Sequence, residues 1–287
     1  MPNLIAVTGA SGVVGGHVAR QLAQRHVPLR LVVRDPARAP ALDGTEVRAA
    51  SGYGDAEAMR DALEGVHTLF LVPAHESDDR VEQHRTAVDA AVAAGVRRIV
   101  YLSAVGAAPD STFLLARDHW ATERHILASG VPATFARMSL YLDFVPQLAG
   151  GDGRIAGPGG DGRLAAVSRA DVAEAVTALL TDARGAPERF DLTGGEARTL
   201  AELAAELAAW SGKDIAYVEQ TVPEARASRA SLGAPDWLLD AWVSTYTAIA
   251  RGEFAAVSDG VRRLTGHAPA TLADFLRGHP DALEHVA

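Results

Sequence analysis

Short apolar runs alternate with helix-periodic stretches through the first half of the chain. Leu4 to Thr8 is an apolar run stopped by glycine, the pattern of a buried strand, and Val14, Val18 and Leu22 then recur four apart on one helical face. The alternation repeats. Leu29 to Val33, Glu46 to Ala49, Thr68 to Val72, Arg97 to Ser103 and Ala133 to Arg137 predict further strands. Asp55 to Leu63, Arg80 to Ala94 and Arg117 to Ala128 predict the helices between them, with Gly95 and Gly130 as stops. In the second of these, Val81, Val88 and Val92 are expected to form the buried face. Apolar strands separated by helices predict a parallel sheet covered on both sides, an α/β fold of the Rossmann-type, doubly wound class.

After Arg137 the rhythm changes. Gly150 to Gly162 is crowded with turn residues and predicts a loop or hairpin. Helices are predicted at Asp171 to Leu180 and Leu200 to Trp210, the latter closed by Gly212, with a strand at Phe190 to Leu192 and mainly helix to about Leu276. The expected organisation is a Rossmann domain over 1–150, with 164–182 returning to it. A smaller, mainly helical C-terminal lobe over 151–163 and 183–287 would form the substrate side of a cleft. Trp237, Trp242 and Tyr246 fall at helical spacing; they pack that lobe or a dimer contact, or else form an aromatic site.

Composition narrows the function classes. The 287 residues carry 36 acidic and 27 basic side chains, a net charge of -9, which argues against a nucleic-acid partner because a phosphate-binding face needs clustered cations. The absence of cysteine excludes disulfides, thiolate catalysis and Cys-based zinc sites. No stretch approaches the roughly 20 apolar residues of a membrane span, and the first residues lack the basic region of a signal peptide. A cytoplasmic protein without a membrane partner, monomer or homodimer, is expected. His75-Glu-Ser-Asp-Asp collects metal-type ligands on a polar loop without helix-spaced histidines; it reads as solvated, and no metal is expected.

The chemistry begins at Gly9-Ala-Ser-Gly12-Val-Val-Gly15, between the first strand and the first helix. The first glycine permits a tight turn, the second lets backbone N–H groups approach a pyrophosphate, and the third lets the helix pack close to the sheet. Thr8, Gly9, Ser11, Gly12, Val13, Val14 and Gly15 are therefore the expected phosphate-side contacts. The residue ending the second strand discriminates the ribose: an acid serves NAD, an arginine the 2′-phosphate of NADP. Arg34 stands 19 residues after Gly15 with Arg38 nearby, which points to NADP(H). Asp35 is the counter-argument, since turned inward it would serve NAD.

With these residues, the chain resembles the NmrA-like atypical short-chain dehydrogenases, and among them the type 2 NAD(P)H:quinone oxidoreductases. The resemblance runs through Val7-Thr-Gly-Ala-Ser-Gly-Val-Val-Gly, Val33-Arg-Asp-Pro-Ala-Arg, Tyr53-Gly-Asp, Gln83-His-Arg, Thr122-Glu, Ser129-Gly-Val, Ser168-Arg-Ala-Asp-Val-Ala and Phe190-Asp-Leu-Thr-Gly, closing on Leu264-Thr-Gly-His-Ala-Pro-Ala-Thr-Leu. It implies that Asp55 lies near the adenine, that Leu71, Val72 and Pro73 line the cofactor, and that Ser103 ends the fifth strand near the nicotinamide. For Asp55 a helix N-cap is the other reading.

The usual Ser-Tyr-Lys set of short-chain dehydrogenases is broken here. Ser103 takes the serine position, but Leu115 falls where the tyrosine would stand and His119 where the lysine would. Leucine cannot donate a proton, so ordinary ketone chemistry is not expected. A quinone is different, because its hydride adduct is a phenolate-like anion that water can protonate. The expected substrate is a small aromatic or quinone-like molecule, with Ser103, His119 and Tyr141 as the candidate catalytic residues. His119 reads alternatively as a surface histidine beside Trp120, and Tyr141 as a half-buried aromatic with its hydroxyl in water. Two other readings stay open: an NADP(H) redox sensor, and a non-redox enzyme acting on an aromatic metabolite.

Overall fold

The computed structural model describes residues 3–182 and 189–287. Residues 183–188, where the second lobe is expected to resume, lie outside the described residues. The first half of the chain runs β1 (Ile5–Thr8), α1 (Val13–Gln24), β2 (Leu29–Val33), β3 (Thr45–Ala49), α2 (Ala56–Leu63), β4 (Thr68–Leu71), α3 (Arg80–Ala93), β5 (Arg98–Ala104), α4 (Leu114–Ala128) and β6 (Ala133–Met138). Then follow α5 (Val145–Leu148), β7 (Arg154–Gly157), β8 (Arg163–Leu164), α6 (Arg169–Thr181), β9 (Arg189–Leu192), β10 (Arg198–Thr199), α7 (Leu200–Ser211), β11 (Ala216–Glu219), α8 (Val222–Arg229), α9 (Asp236–Ala250), α10 (Gly260–Thr265) and α11 (Leu272–Gly278). Among the described residues no helix is long and apolar enough to cross a membrane.

One seven-stranded sheet has the order β3-β2-β1-β4-β5-β6-β9, and the pairings from β3 to β5 are all parallel. Every residue of β1, β2 and β4 is buried, as expected of strands covered on both faces. The strand order reverses between β1 and β4, and in open α/β sheets ligands bind beyond the carboxyl ends of the strands at such a point. The Gly9–Gly15 loop and the segment after Leu71 leave the sheet there.

The predicted face of α1 is the observed one, with Val14, Val18 and Leu22 buried. That of α3 is not. Its buried residues are Arg80, His84, Ala87, Val88, Ala90 and Ala91, whereas Val92 is 39% exposed. Alanines add little to an apolar period and a buried histidine and arginine interrupt it, so the valine face coincides with the buried one only at Val88.

The chain divides into two compact units. The first comprises Met1–Ala107, Asp118–Arg137 and Ala170–Phe190; the second Ala108–Arg117, Met138–Arg169 and Asp191–Ala287. Residues 108–117 and 138–150 thus group with the second unit rather than with the expected 1–150 domain, and 164–169 do not return to the first. In the second unit Leu200, Leu203, Leu207, Ile249, Phe254 and Leu272 anchor the core. The glycine-rich segment is loop on either side of a short strand rather than a hairpin: β7 pairs parallel with β11, and β8, just beyond the segment, pairs antiparallel with β10. Its glycines serve close approach. A Cβ on Gly157 would fall 2.3 Å from the Tyr246 ring, and one on Gly162 2.0 Å from the Ile249 carbonyl oxygen. Of the three aromatics at helical spacing only Tyr246 is buried; Trp237 is 36% exposed. Lys213, the single lysine of the sequence, donates to the carbonyls of Leu283 (3.0 Å) and Val286, tying the end of α7 to the last residues.

A buried polar layer joins α3, β5 and α4 in the first unit. Arg80 donates to the Ala74 carbonyl (3.0 Å), pairs with Asp118 (3.2 Å) and donates to His119 Nε2 (3.4 Å). His84 Nε2 accepts from the Ala74 N–H (2.8 Å), so its proton sits on Nδ1 and reaches the Thr122 hydroxyl (2.8 Å). By the same logic His119 Nδ1 donates to the Tyr101 hydroxyl (2.9 Å), since an arginine offers only donors. Burial first, then the Arg80 charge, pushes His84 down to about 3 and His119 well below the ordinary imidazole range.

Both histidines therefore stay neutral in the folded chain and take up protons near pH 6.5 once unfolded. The unfolded state binds more protons below that point, so stability is complete above about pH 6.5 and declines as pH falls toward the folded values. Between about pH 7.5 and 5.5 His84 alone should cost about 1.4 kcal/mol, and His119 adds to it with the same sign. Denaturant titrations at the two pH values measure this, and a His84→Gln protein should lose its share of the slope; an unchanged slope contradicts the account.

Candidate functional site

The loop after β1 is shaped by three close approaches. Gly9 adopts φ 62°, a left-handed turn that favours glycine, and its carbonyl accepts the Gly12 N–H at 2.9 Å. A Cβ on Gly15 would lie 2.4 Å from the Gly9 oxygen, so no side chain fits where α1 meets β1. Gly12 caps α1 with no side-chain hydrogen bond, and the first turn holds no acid. The leading N–H groups of a 12-residue helix are thus left for an anion. Ser11 and Val13 are exposed, whereas Val14 and Gly15 are buried.

Thr8 serves this loop from beneath. Its buried hydroxyl donates to the Phe70 carbonyl (3.1 Å) and accepts the Val72 N–H (2.9 Å), locking the ends of β1 and β4 together. Leu71 is wholly buried in the first-unit core, while Val72 and Pro73 emerge half-buried beyond the strand. The Tyr53 hydroxyl holds the Val72 carbonyl at 2.6 Å.

At the end of β2, Arg34 and Arg38 are both exposed. Asp35 between them turns back on its own backbone, capping the short 3-10 turn Pro36–Arg38 by accepting the Ala37 N–H at 3.0 Å. Asp55 caps α2 in the same way: Oδ1 accepts the Ala58 N–H (3.0 Å) and Oδ2 the Ser51 hydroxyl (2.5 Å). The Ser51 bond, then the Ala58 N–H, holds its carboxyl below the usual range. The glycine cradle, the bare helix terminus and two outward guanidinium groups fit a dinucleotide phosphate; a Cβ at Gly15 would fill that cradle.

The candidate catalytic residues require correction. Ser103 is fully buried and spends its one proton on Glu123 Oε1 (2.5 Å), and Glu123 is in turn clasped by Arg137 through Nε (2.8 Å) and Nη2. It has no proton left for a substrate. His119 is neither a surface residue nor an open donor: it is 3% exposed, both ring nitrogens are bonded inside the first unit, and burial keeps it neutral. Leu115 packs against the core of the second unit.

Tyr141 belongs to the second unit, half-buried and bridged to Val167. Burial raises its phenol, and among the described residues its hydroxyl has no hydrogen-bond partner. Sequence reasoning passed over Arg80 and His84, although the latter sits in the quoted Gln83-His-Arg, and over Arg169, which sits in Ser168-Arg-Ala-Asp. His75 and Asp78 are exposed, and no group of the described residues is placed to hold a metal ion. A cavity of about 250 Å³ in the second unit, lined by Leu142, Ala166, Gly195, Leu203, Ala268 and Leu272, includes none of the sequence-predicted residues.

Comparison with known proteins places this architecture. Residues 9–183 match the model of a family described as NAD(P)H-binding. The chain is 36% identical to quinone oxidoreductase 2 of Escherichia coli (strain K12), with 94% of this chain and 96% of that protein aligned. It is 29% identical to the NAD(P)H azoreductase of Xenophilus azovorans, over 97% and 99% of the two chains. The crystal structure of the E. coli NADPH-dependent quinone oxidoreductase QOR2 complexed with NADPH superposes with a TM-score of 0.88 at 35% identity, covering 96% of this chain and 99% of that one. The glycine cradle, the doubly wound sheet and these likenesses agree, and the chain belongs to the NAD(P)H-binding family.

Proposed function

We propose that this protein is an NADP(H)-dependent oxidoreductase that delivers hydride to a quinone or another conjugated, planar carbonyl compound. The observation that carries the reading is a full dinucleotide cradle in a chain whose positions for the usual proton-donating set have no proton to give. Ser103 donates inward to Glu123, His119 is held neutral, and Leu115 carries no proton. Such a site suits an acceptor whose reduced form needs no enzymic acid. The E. coli relative is named a quinone oxidoreductase and the X. azovorans relative an NAD(P)H azoreductase, and quinones and azo compounds are both conjugated.

When bound, the reduced nicotinamide supplies the hydride. The chain's own residues hold and orient it. Backbone groups of Gly9, Ser11, Gly12, Val13, Val14 and Gly15, with Thr8 beneath them, frame the pyrophosphate. Arg34 and Arg38 take the 2′-phosphate, and Asp35, committed to its cap, leaves them free to do so. Asp55, Leu71, Val72 and Pro73 form the rest of the cofactor's surroundings, Asp55 mainly by fixing α2. Ser103 and His119 act as positioning residues within the buried layer. Tyr141 offers a free hydroxyl to the substrate. The setting is the cytoplasm, and the protein works as a monomer or homodimer on a small aromatic molecule.

Replacing Arg34 with alanine should raise the KM for NADPH about tenfold or more, the weight of one charge-assisted contact, and leave NADH within about twofold. Equal losses for the two cofactors would remove the 2′-phosphate assignment. Mixing the protein with NADPH and a panel of benzo- and naphthoquinones should give quinone-dependent loss of reduced-nicotinamide absorbance. NADPH bound but unconsumed across the panel would transfer the reading to a redox sensor.

A further inference from the structure

Tyr141, Phe144 and Arg169 form a platform on the second unit. The two rings stand 6.0 Å apart between centroids, and the Arg169 guanidinium lies 4.2 Å from the Phe144 ring centre and 4.8 Å from that of Tyr141. The arrangement is fixed by backbone bonds. Leu142 N–H donates to the Val167 carbonyl (2.8 Å), Val167 N–H to that of Leu140 (3.0 Å), and Arg169 N–H to the Asp143 carboxylate (2.9 Å). Two segments far apart in sequence are thereby zipped together, and α6 starts with its first side chain laid across both rings.

What is unusual is the charge. Arg80 and Arg137 each meet a carboxylate, on Asp118 and Glu123. Arg169 is half-buried, yet among the described residues no carboxylate pairs with its guanidinium. Stacking over rings satisfies the faces of a guanidinium through the ring quadrupoles, and it leaves the N–H edges pointing outward in the plane. Phe144 is 49% exposed, and the Tyr141 hydroxyl lacks an internal partner. The platform therefore presents an apolar aromatic surface, a fixed cation with unsatisfied donors, and a neutral hydroxyl.

That set is complementary to a flat aromatic molecule bearing a sulfonate or carboxylate, with the ring against Phe144 and the anion across the guanidinium edge. We propose that this platform binds planar aromatic anions, so that the protein prefers acceptors carrying an acidic substituent over their neutral counterparts. The preference among acceptors rests on the hydride-transfer reading above; the binding itself does not. Asp143 stays with the backbone N–H of Arg169 and is part of the support.

The test compares 1,4-naphthoquinone-2-sulfonate with 1,4-naphthoquinone on the full chain. Calorimetric titration in the presence of NADP⁺, where no hydride is available, gives the two Kd values, and NADPH oxidation gives the two KM values. Wild type should bind the sulfonate about tenfold tighter or better, and the advantage should shrink as salt is added. Arg169→Gln should abolish the preference and leave the neutral quinone within about twofold, while Arg169→Lys keeps part of it. A preference absent in wild type, or one that survives in Arg169→Gln, overturns the proposal. If Arg169→Gln does not fold, salt dependence and Arg169→Lys carry the decision. Turnover of both quinones without preference removes the platform alone; preferential binding with no NADPH consumed removes hydride transfer and keeps the platform.

Discussion

Contact between the first turn of α1 and the end of β1 is closer than any side chain allows. Gly15 has no Cβ because the Gly9 carbonyl already occupies its place, and Gly9 can turn there because it tolerates a left-handed backbone. From this approach the rest follows. The helix points its unsatisfied N–H groups at the sheet's carboxyl end, Thr8 bolts β1 to β4 just below, and the strand order reverses at that edge. Arg34, 19 residues after Gly15 in sequence, leaves the sheet at the same end as the glycine loop because β2 runs parallel beside β1 in register.

The polar layer of the first unit answers a different constraint. A buried guanidinium, two buried imidazoles and a buried carboxylate would each be costly alone. Here they are distributed so that each charged or polar edge meets a partner: Arg80 meets Asp118, a carbonyl and an imidazole; Glu123 meets Arg137 and Ser103. The Ala74 backbone is gripped at both its polar groups, its carbonyl by Arg80 and its N–H by His84. That grip fixes the segment just beyond Val72 and Pro73.

How legible all this was depends on the range of the interaction. The central strands β1, β2 and β4 were readable because each is a mostly apolar run buried on both faces, and the phosphate loop because its glycines act within seven residues. Gly150 to Gly162 misled in part: Gly153 and Gly160 do turn, but Gly157 and Gly162 serve close packing against α9. The roles of Ser103 and His119 were unreadable for a plainer reason. Their partners, Glu123 and Arg80, lie 20 and 39 residues away, and nothing in the local pattern distinguishes an inward hydroxyl or imidazole from an outward one. Arg169 was passed over in the same way, because only the fold brings Phe144 beneath it.

Lys213 has a consequence beyond holding the chain's last turn. Quinones are electrophiles that react with thiols and amines, and under the proposed hydride-transfer reading the protein is exposed to its own substrate. This sequence has no cysteine, and its one lysine amine is occupied by two backbone carbonyls. The positive charge elsewhere is carried by arginine, a poor nucleophile. The scaffold thus withholds the two most reactive kinds of side-chain nucleophile, thiols and free lysine amines, leaving only the weaker imidazoles of its ten histidines, a form of chemical self-protection written into composition and secured by one ammonium's hydrogen bonds.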